Sequence, residues 1–355
     1  MTALSLGVAG LVWSTLGGAA GAPVRVEPVG DGDPAPVWRD QAAFAVDAVT
    51  GVRPRRACVV QITLATFGEA AATVRTKHRD ADGFLRRDAV AQPADRPLVL
   101  LLGDSHLDGV VDTEANAGAL LERRLAAAAA PCYVQNAACG HHGPWQYALR
   151  ARELVPRLRP AVVVVVVFLG NDLLDLDQPL LPHLDDLLRE QPPREPTDAA
   201  AMLARLQRLA LPTADAQLFW QGLNQAETAR ERPARATIWL AKARAAVAAI
   251  EAVAAAHGAR VVWALLPSFD LLFPERVQAL GEAAAAVVAS GVQRQLAGGF
   301  ADALRAAGGT ALDLEPALRR DGRPALFAVD YHIDRAAHEL LAQELAEPVR
   351  AALTR

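Results

Sequence analysis

Cysteine is scarce: Cys58, Cys132 and Cys139 are the only three in 355 residues, and none stands in a CxxC or other metal-like spacing. That excludes a zinc-ligand frame and a disulfide-stapled scaffold, and allows one disulfide at most. An excess of basic charge is also missing. The 36 Lys and Arg face 40 Asp and Glu, interspersed for a net charge of −4, which is no footprint for nucleic acid. Hydrophobic residues make up 52% of the chain, but much of this is alanine in runs such as residues 126–130. Such runs favour helices and do not make a polytopic membrane protein. No internal repeat is present.

Charge is absent from the amino terminus, where no ionisable side chain precedes Arg25. Leu4 to Leu16 would serve as an apolar signal region, and Ala20-Gly21-Ala22 fits a small-residue cleavage site. The same uncharged length would just cross a bilayer as an anchor. Residues 1–24 are therefore expected to be a signal peptide or membrane anchor, which puts the chain in the periplasm or cell envelope. Against this, the start lacks a Lys or Arg. The alternative is a buried Ala/Gly-rich helix in a cytoplasmic protein.

Residues 25–95 are mixed and punctuated by proline, with one strand expected at Cys58–Ala65. They are expected to form an extension packing on a core domain of residues 96–355. From residue 96 the pattern turns regular. Strands are expected at Leu98–Leu102, Cys132–Gln135, Val162–Leu169, Arg260–Leu266 and Thr310–Leu314. Helices are expected at Thr113–Ala130, Pro144–Leu158, Ala236–His257 and Val292–Ala307, with a last one at Arg335–Leu353. Alternating strands and helices predict an α/β fold with a parallel sheet covered on both faces. Right-handed crossovers leave few topologies, of which the flavodoxin-like order 2-1-3-4-5 suits five strands. Residues 173–235 break the rhythm, being far longer than an ordinary strand-to-helix connection. Because this insertion starts at a strand's carboxyl end, it is placed to form a lid; a surface embellishment is the alternative.

Four short polar motifs fall at the ends of these elements: Gly103-Asp104-Ser105, the stretch Asn136 to Trp145, Gly170-Asn171-Asp172, and Asp330-Tyr331-His332. In the order 2-1-3-4-5 the ligand crevice opens between the strands that carry Ser105 and Asn171. Acyl transfer needs a hydroxyl nucleophile, a base, an orienting acid and donors for the oxyanion. Histidine suits the base role because it titrates near neutral pH. Ser105 at a helix entrance has its own N–H and the helix dipole to offer an anion. The Gly140 N–H and the Asn171 amide would complete the hole. Asp104 is expected to fix its loop by accepting backbone N–H bonds, and Val162–Val167, Trp239 and Trp263 to be core.

This set resembles the SGNH, or GDSL-type, hydrolase superfamily, over roughly residues 75–350. Its four blocks contribute serine, glycine, asparagine and histidine in that order. Residues 75–87 also look like the segment before Gly-Asp-Ser in some bacterial members. The resemblance implies a three-layer α/β/α fold and hydrolysis or transfer of ester-linked acyl groups without a metal or other cofactor. It makes Ser105 the nucleophile, His332 the base and Asn171 an oxyanion donor. The family's usual acid lies three residues before the histidine, where this chain has Val329. Asp330 is the replacement and Asp334 the fallback. Gly140 and Gly143 both lie in the second block, so the family glycine has two candidates.

The expected activity is a serine esterase or acyl hydrolase acting on a small-molecule or carbohydrate ester, through Ser105, His332 and Asp330. Two other readings remain: an O-acyltransferase or deacetylase acting on a cell-envelope polysaccharide, and a catalytically silent carbohydrate-binding protein. His106, His141 and Trp145 are expected to bind substrate. His106, His141 and His142 lack the carboxylate spacing of a ligand set, so no metal site is expected. The classical α/β-hydrolase elbow, G-x-S-x-G, fails because Leu107 stands at its fifth position.

Overall fold

Six consecutive valines followed by Phe168 can be buried only in a strand covered on both faces, and all seven side chains of Val162–Phe168 are buried. The computed structural model describes residues 24–28, 44–64, 73–86, 95–177, 181–192, 225–279, 281–309, 311–322 and 332–354. In chain order its strands are β1 (Val24–Pro28), β2 (Phe44–Asp47), β3 (Gly51–Pro54), β4 (Cys58–Leu64), β5 (Thr73–Arg79), β6 (Leu98–Leu102), β7 (Tyr133–Asn136), β8 (Val162–Phe168), β9 (His183–Leu184), β10 (Glu190–Gln191), β11 (Arg260–Leu266) and β12 (Ala311–Asp313). The helices used below are α1 (Ser105–Asp108), α2 (Ala117–Ala127), α3 (Pro144–Leu158), α4 (Asp172–Asp175), α5 (Pro233–Ala256), and, further on, α6 (Phe269–Leu272). The remaining ones are α7 (Pro274–Gln278), α8 (Glu282–Ala289), α9 (Val292–Ala306), α10 (Glu315–Asp321) and α11 (Arg335–Thr354).

The main sheet runs β12-β11-β8-β6-β7 and every pairing in it is parallel. Numbered along the sheet domain, that is the order 2-1-3-4-5 expected from the sequence. The two-residue period of a strand sorts its side chains to opposite faces. Val163, Val165 and Val167 join Leu100 and Leu102 under α3, α5 and α9, while Val162, Val164 and Val166 join Val99 and Leu101 under α2 and α11. Trp239 and Trp263 are both core. The result is an α/β/α sandwich of three layers.

Boundaries shift where a cap intervenes. The helix expected from Thr113 starts at Ala117, because the Asn116 side chain accepts the Gly118 N–H and caps it there. Residues Thr113–Ala115 form a separate 3₁₀ turn. The second strand begins at Tyr133, not Cys132, and the third ends at Phe168. All three cysteines are buried and none is in a disulfide.

Two small antiparallel units precede the sheet: β1-β4-β5, and the β2–β3 hairpin. The first is joined to the sandwich through Leu85, whose N–H donates to the Asn136 carbonyl at the end of β7. It is also joined by charge. Asp108 receives Lys77 Nζ at 2.7 Å and pairs with the Arg79 guanidinium, all three buried. The hairpin is stiffened by Asp47, whose Oδ2 accepts from the Thr50 N–H at 2.7 Å and its hydroxyl at 2.8 Å. Within the long insertion, residues 178–180 and 193–224 lie outside the described residues. So do residues 1–23. Among the described residues no helix is long and apolar enough to cross a membrane.

Candidate active site

β6 delivers Gly103-Asp104-Ser105 to the carboxyl edge of the sheet. A Cβ on Gly103 would stand 2.9 Å from Leu107 and 3.1 Å from the Val166 carbonyl, so only glycine lets the chain turn this tightly against β8. Asp104 then caps α1, its Oδ1 accepting the His106 N–H at 2.9 Å. Ser105 is the first residue of the helix, half-buried, where its hydroxyl can be reached. The helix is a single turn, closed by Gly109 at φ 74°. Its summed dipole is accordingly small, and what Ser105 offers an anion is chiefly its own N–H.

Two buried asparagines hold this turn from behind. Asn116 Nδ2 donates to the Leu107 carbonyl at 2.9 Å and the Asp108 carbonyl at 3.1 Å. Asn136 Nδ2 reaches the same Leu107 carbonyl at 3.1 Å and Asn116 Oδ1 at 2.9 Å. These bonds satisfy the carboxyl end of α1, where orphan carbonyls would otherwise be buried. Sequence reasoning missed Asn116. The signal was there: an Asn four residues after Asp112, just before an apolar-periodic run, is a helix-cap pattern.

His332 comes to this loop from the other end of the chain. Its ring lies 5.1 Å from that of His106, centroid to centroid, and its charge acts on Asp104, His106, His141 and His338. His106 itself is fully buried with its ring stacked on Phe168 at 3.6 Å. Fully buried, it offers a substrate no exposed surface, contrary to the expectation from the sequence that it binds substrate. Trp145 is also corrected: it is core, with the Arg152 guanidinium 5.1 Å from its ring. Asp330 lies outside the described residues. The fallback Asp334 caps α11, its Oδ1 accepting the Ala337 N–H at 3.0 Å.

The second block supplies a tight loop. The Gly143 N–H donates to Gln146 Oε1 at 3.1 Å as part of the α3 cap, so it is already engaged. The other loop glycine is Gly140. His141 follows in the left-handed region at φ 68°, an uncommon backbone for a non-glycine residue and one that gathers at functional sites. Burial pushes its ring down to about 4, with His332 adding to the effect. His142 turns the other way and bonds the Val52 carbonyl at 2.8 Å through Nε2.

The third block brings Asn171, just past β8. Its Nδ2 donates to Asp175 Oδ2 at 2.8 Å, which fixes the plane of the amide and leaves its second N–H. Next to it, Asp172 Oδ2 accepts from the Tyr147 hydroxyl and the Phe168 N–H, both at 2.9 Å. Burial pushes the Asp172 carboxyl well above the ordinary range, and the neighbouring Asp104 and Asp175 push it further. Asp104 is raised to about 7 by burial, against the His106 N–H and the charge of His332. Gln225, at the far end of the insertion, accepts the Leu173 and Leu174 N–H groups at 3.1 and 3.0 Å and so holds α4. Among the described residues no three His, Cys, Asp or Glu side chains are grouped to hold a metal ion.

No protein-family model matches the sequence, and no curated protein is similar to it. Among solved structures the chain is similar to several lipases and esterases. A lipase/acylhydrolase from Enterococcus faecalis is 16% identical with a TM-score of 0.41, the match covering 72% of this chain and 96% of that one. The esterase EstA from Pseudoalteromonas sp. is 13% identical at 0.40, covering 73% and 99%. A putative G-D-S-L lipolytic protein from Desulfitobacterium hafniense is 12% identical at 0.38, covering 71% and 99%. Values this low do not carry a function across.

Proposed function

We propose that this protein is a serine hydrolase that cleaves ester-linked acyl groups. Ser105 Oγ gives its proton to His332 and attacks the ester carbonyl carbon. The N–H groups of Ser105 and Gly140 and the free Asn171 amide N–H stabilise the oxyanion. Collapse of the tetrahedral adduct expels the alcohol, which takes the proton from His332. Water, deprotonated in turn by His332, then releases the carboxylic acid and restores Ser105. Asp330 is assigned to orient the His332 ring. The observation that carries this reading is the approach of His332 to the turn that presents Ser105, with the ring 5.1 Å from that of the next residue, His106. Asn171 supports it from the neighbouring strand, its amide already oriented.

A fluorophosphonate probe tests the reading. Wild-type protein is expected to be labelled, and Ser105→Ala to be unlabelled while its circular dichroism is unchanged. A folded wild-type chain that takes up no label, or label that survives in Ser105→Ala, refutes it.

A further inference from the structure

The β2–β3 hairpin is separated in sequence from all four motifs, yet it stands against the oxyanion loop. A Cβ on Gly140 would lie 2.8 Å from the tip of the Phe44 ring, Cζ. The same ring meets His141 edge-on, with centroids 5.5 Å apart. Phe44 is not a loose side chain. It packs on the cluster of Val52, Cys139 and Leu181 and on that of Cys58 and Val60. The hairpin behind it is fixed by the bond from His142 to Val52 and by the close seating of Gly51, where an added Cβ would be 2.7 Å from Leu181.

We infer that Phe44 is a specificity-determining wall of the acyl pocket and limits the enzyme to short acyl groups such as acetyl. This rests on the serine-hydrolase reading above. A carbonyl oxygen held by the Gly140 N–H is within hydrogen-bond distance of that backbone, so the substituents of the carbonyl carbon start beside it. The leaving oxygen must face His332, from which it takes its proton. The acyl substituent therefore points away from His332, and the surface beside Gly140 is an aromatic ring already in contact with the loop. A well-packed ring on a rigid hairpin does not yield to an added chain without strain. The glycine and the phenylalanine are complementary: the absent Cβ at 140 is what lets the ring come so close.

The test compares kcat/KM for p-nitrophenyl acetate, butyrate and octanoate. Wild-type protein is expected to prefer acetate over octanoate by at least about tenfold, the scale on which a pocket discriminates small differences in hydrocarbon. Phe44→Ala is expected to raise the octanoate-to-acetate ratio by about tenfold or more, and Phe44→Leu to raise it less. Phe44→Trp is expected to lower the butyrate-to-acetate ratio. If Phe44→Ala does not fold, the Leu and Trp variants carry the same comparison. A wild-type preference for octanoate overturns the inference, as does an unchanged ratio in a folded, fluorophosphonate-labelled variant at this position. A wild-type chain that cleaves none of the three esters and takes no label overturns the serine-hydrolase reading, and the wall with it.

Discussion

The rings of His332 and His106 lie 5.1 Å apart, centroid to centroid, and that of His106, fully buried, is also stacked on Phe168. The proposed mechanism gives these two neighbouring histidines different duties, and substitution separates them. His332→Ala is expected to lower kcat by a factor of about 10³ or more, with little change in stability. His106→Ala empties a fully buried site and is expected to cost about 2–4 kcal/mol of stability. Urea melts and steady-state kinetics on both variants check the division. Equal losses of stability would show that the two rings share one structural role.

The Asn171 amide is tied to Asp175 Oδ2 at 2.8 Å, so the two side chains form a donor and its positioning group. Asn171→Ala is expected to reduce kcat by about 10²–10³ with KM nearly constant, the signature of a contact made in the transition state. Asp175→Ala leaves the donor in place but frees its orientation, and a smaller loss, again in kcat, is expected. Asn171→Asp removes the donor at constant size and should match Asn171→Ala. A loss confined to KM in these variants would remove Asn171 from the oxyanion hole.

Much of this architecture was legible because it is local. The apolar runs at Leu98–Leu102 and Val162–Phe168 announce strands buried on both faces, and the Gly103-Asp104-Ser105 and Gly170-Asn171-Asp172 motifs follow their ends closely. What could not be read depends on packing across the chain. His106 and Ser105 are adjacent, but a one-turn helix buries the first completely and leaves the second half-buried. Trp145 sits beside the second block in sequence and points into the core from α3. Phe44 carries no motif at all; its place beside Gly140 comes from the docking of a hairpin whose strands precede the sheet. The pairing of Lys77 and Arg79 with Asp108 likewise joins charges that look like solvated surface in the sequence.

That buried ion group makes a stability prediction. One carboxylate serves two cations there, with the Lys77 Nζ also donating to the Gly109 carbonyl at 2.9 Å. Asp108→Asn strands both cations in the interior, and a cost of about 3–5 kcal/mol is expected. Lys77→Met removes one cation and leaves a balanced pair, so its cost should be clearly smaller. Urea denaturation of the two variants decides the matter: a Lys77→Met protein as unstable as Asp108→Asn would mean that packing, not charge balance, governs this joint.

The three carboxylates behind the site act in the opposite sense. Burial raises Asp104 to about 7, against the pull of its backbone N–H bonds and of His332, and holds Asp172 and Asp175 above the ordinary range, where the nearby Asp104 adds to the shift. In the unfolded chain such groups lose their protons near pH 4. Between pH 4 and 7 the folded state therefore binds more protons than the unfolded one, and stability falls as pH rises through that window. The contribution is on the order of a few kcal/mol, since each pH unit of separation is worth about 1.4 kcal/mol. Asp172→Asn keeps an oxygen for the Tyr147 hydroxyl and the Phe168 N–H while removing one titrating group and its repulsion of Asp104. It is expected to be destabilising or neutral at pH 4 and to gain on wild type as pH approaches 7 and above. Urea midpoints measured for both proteins at pH 4, 5.5, 7 and 8 give the difference directly. A constant gap across that range would mean that the carboxylates are ionised in the folded protein and that their proximity is balanced by some other charge.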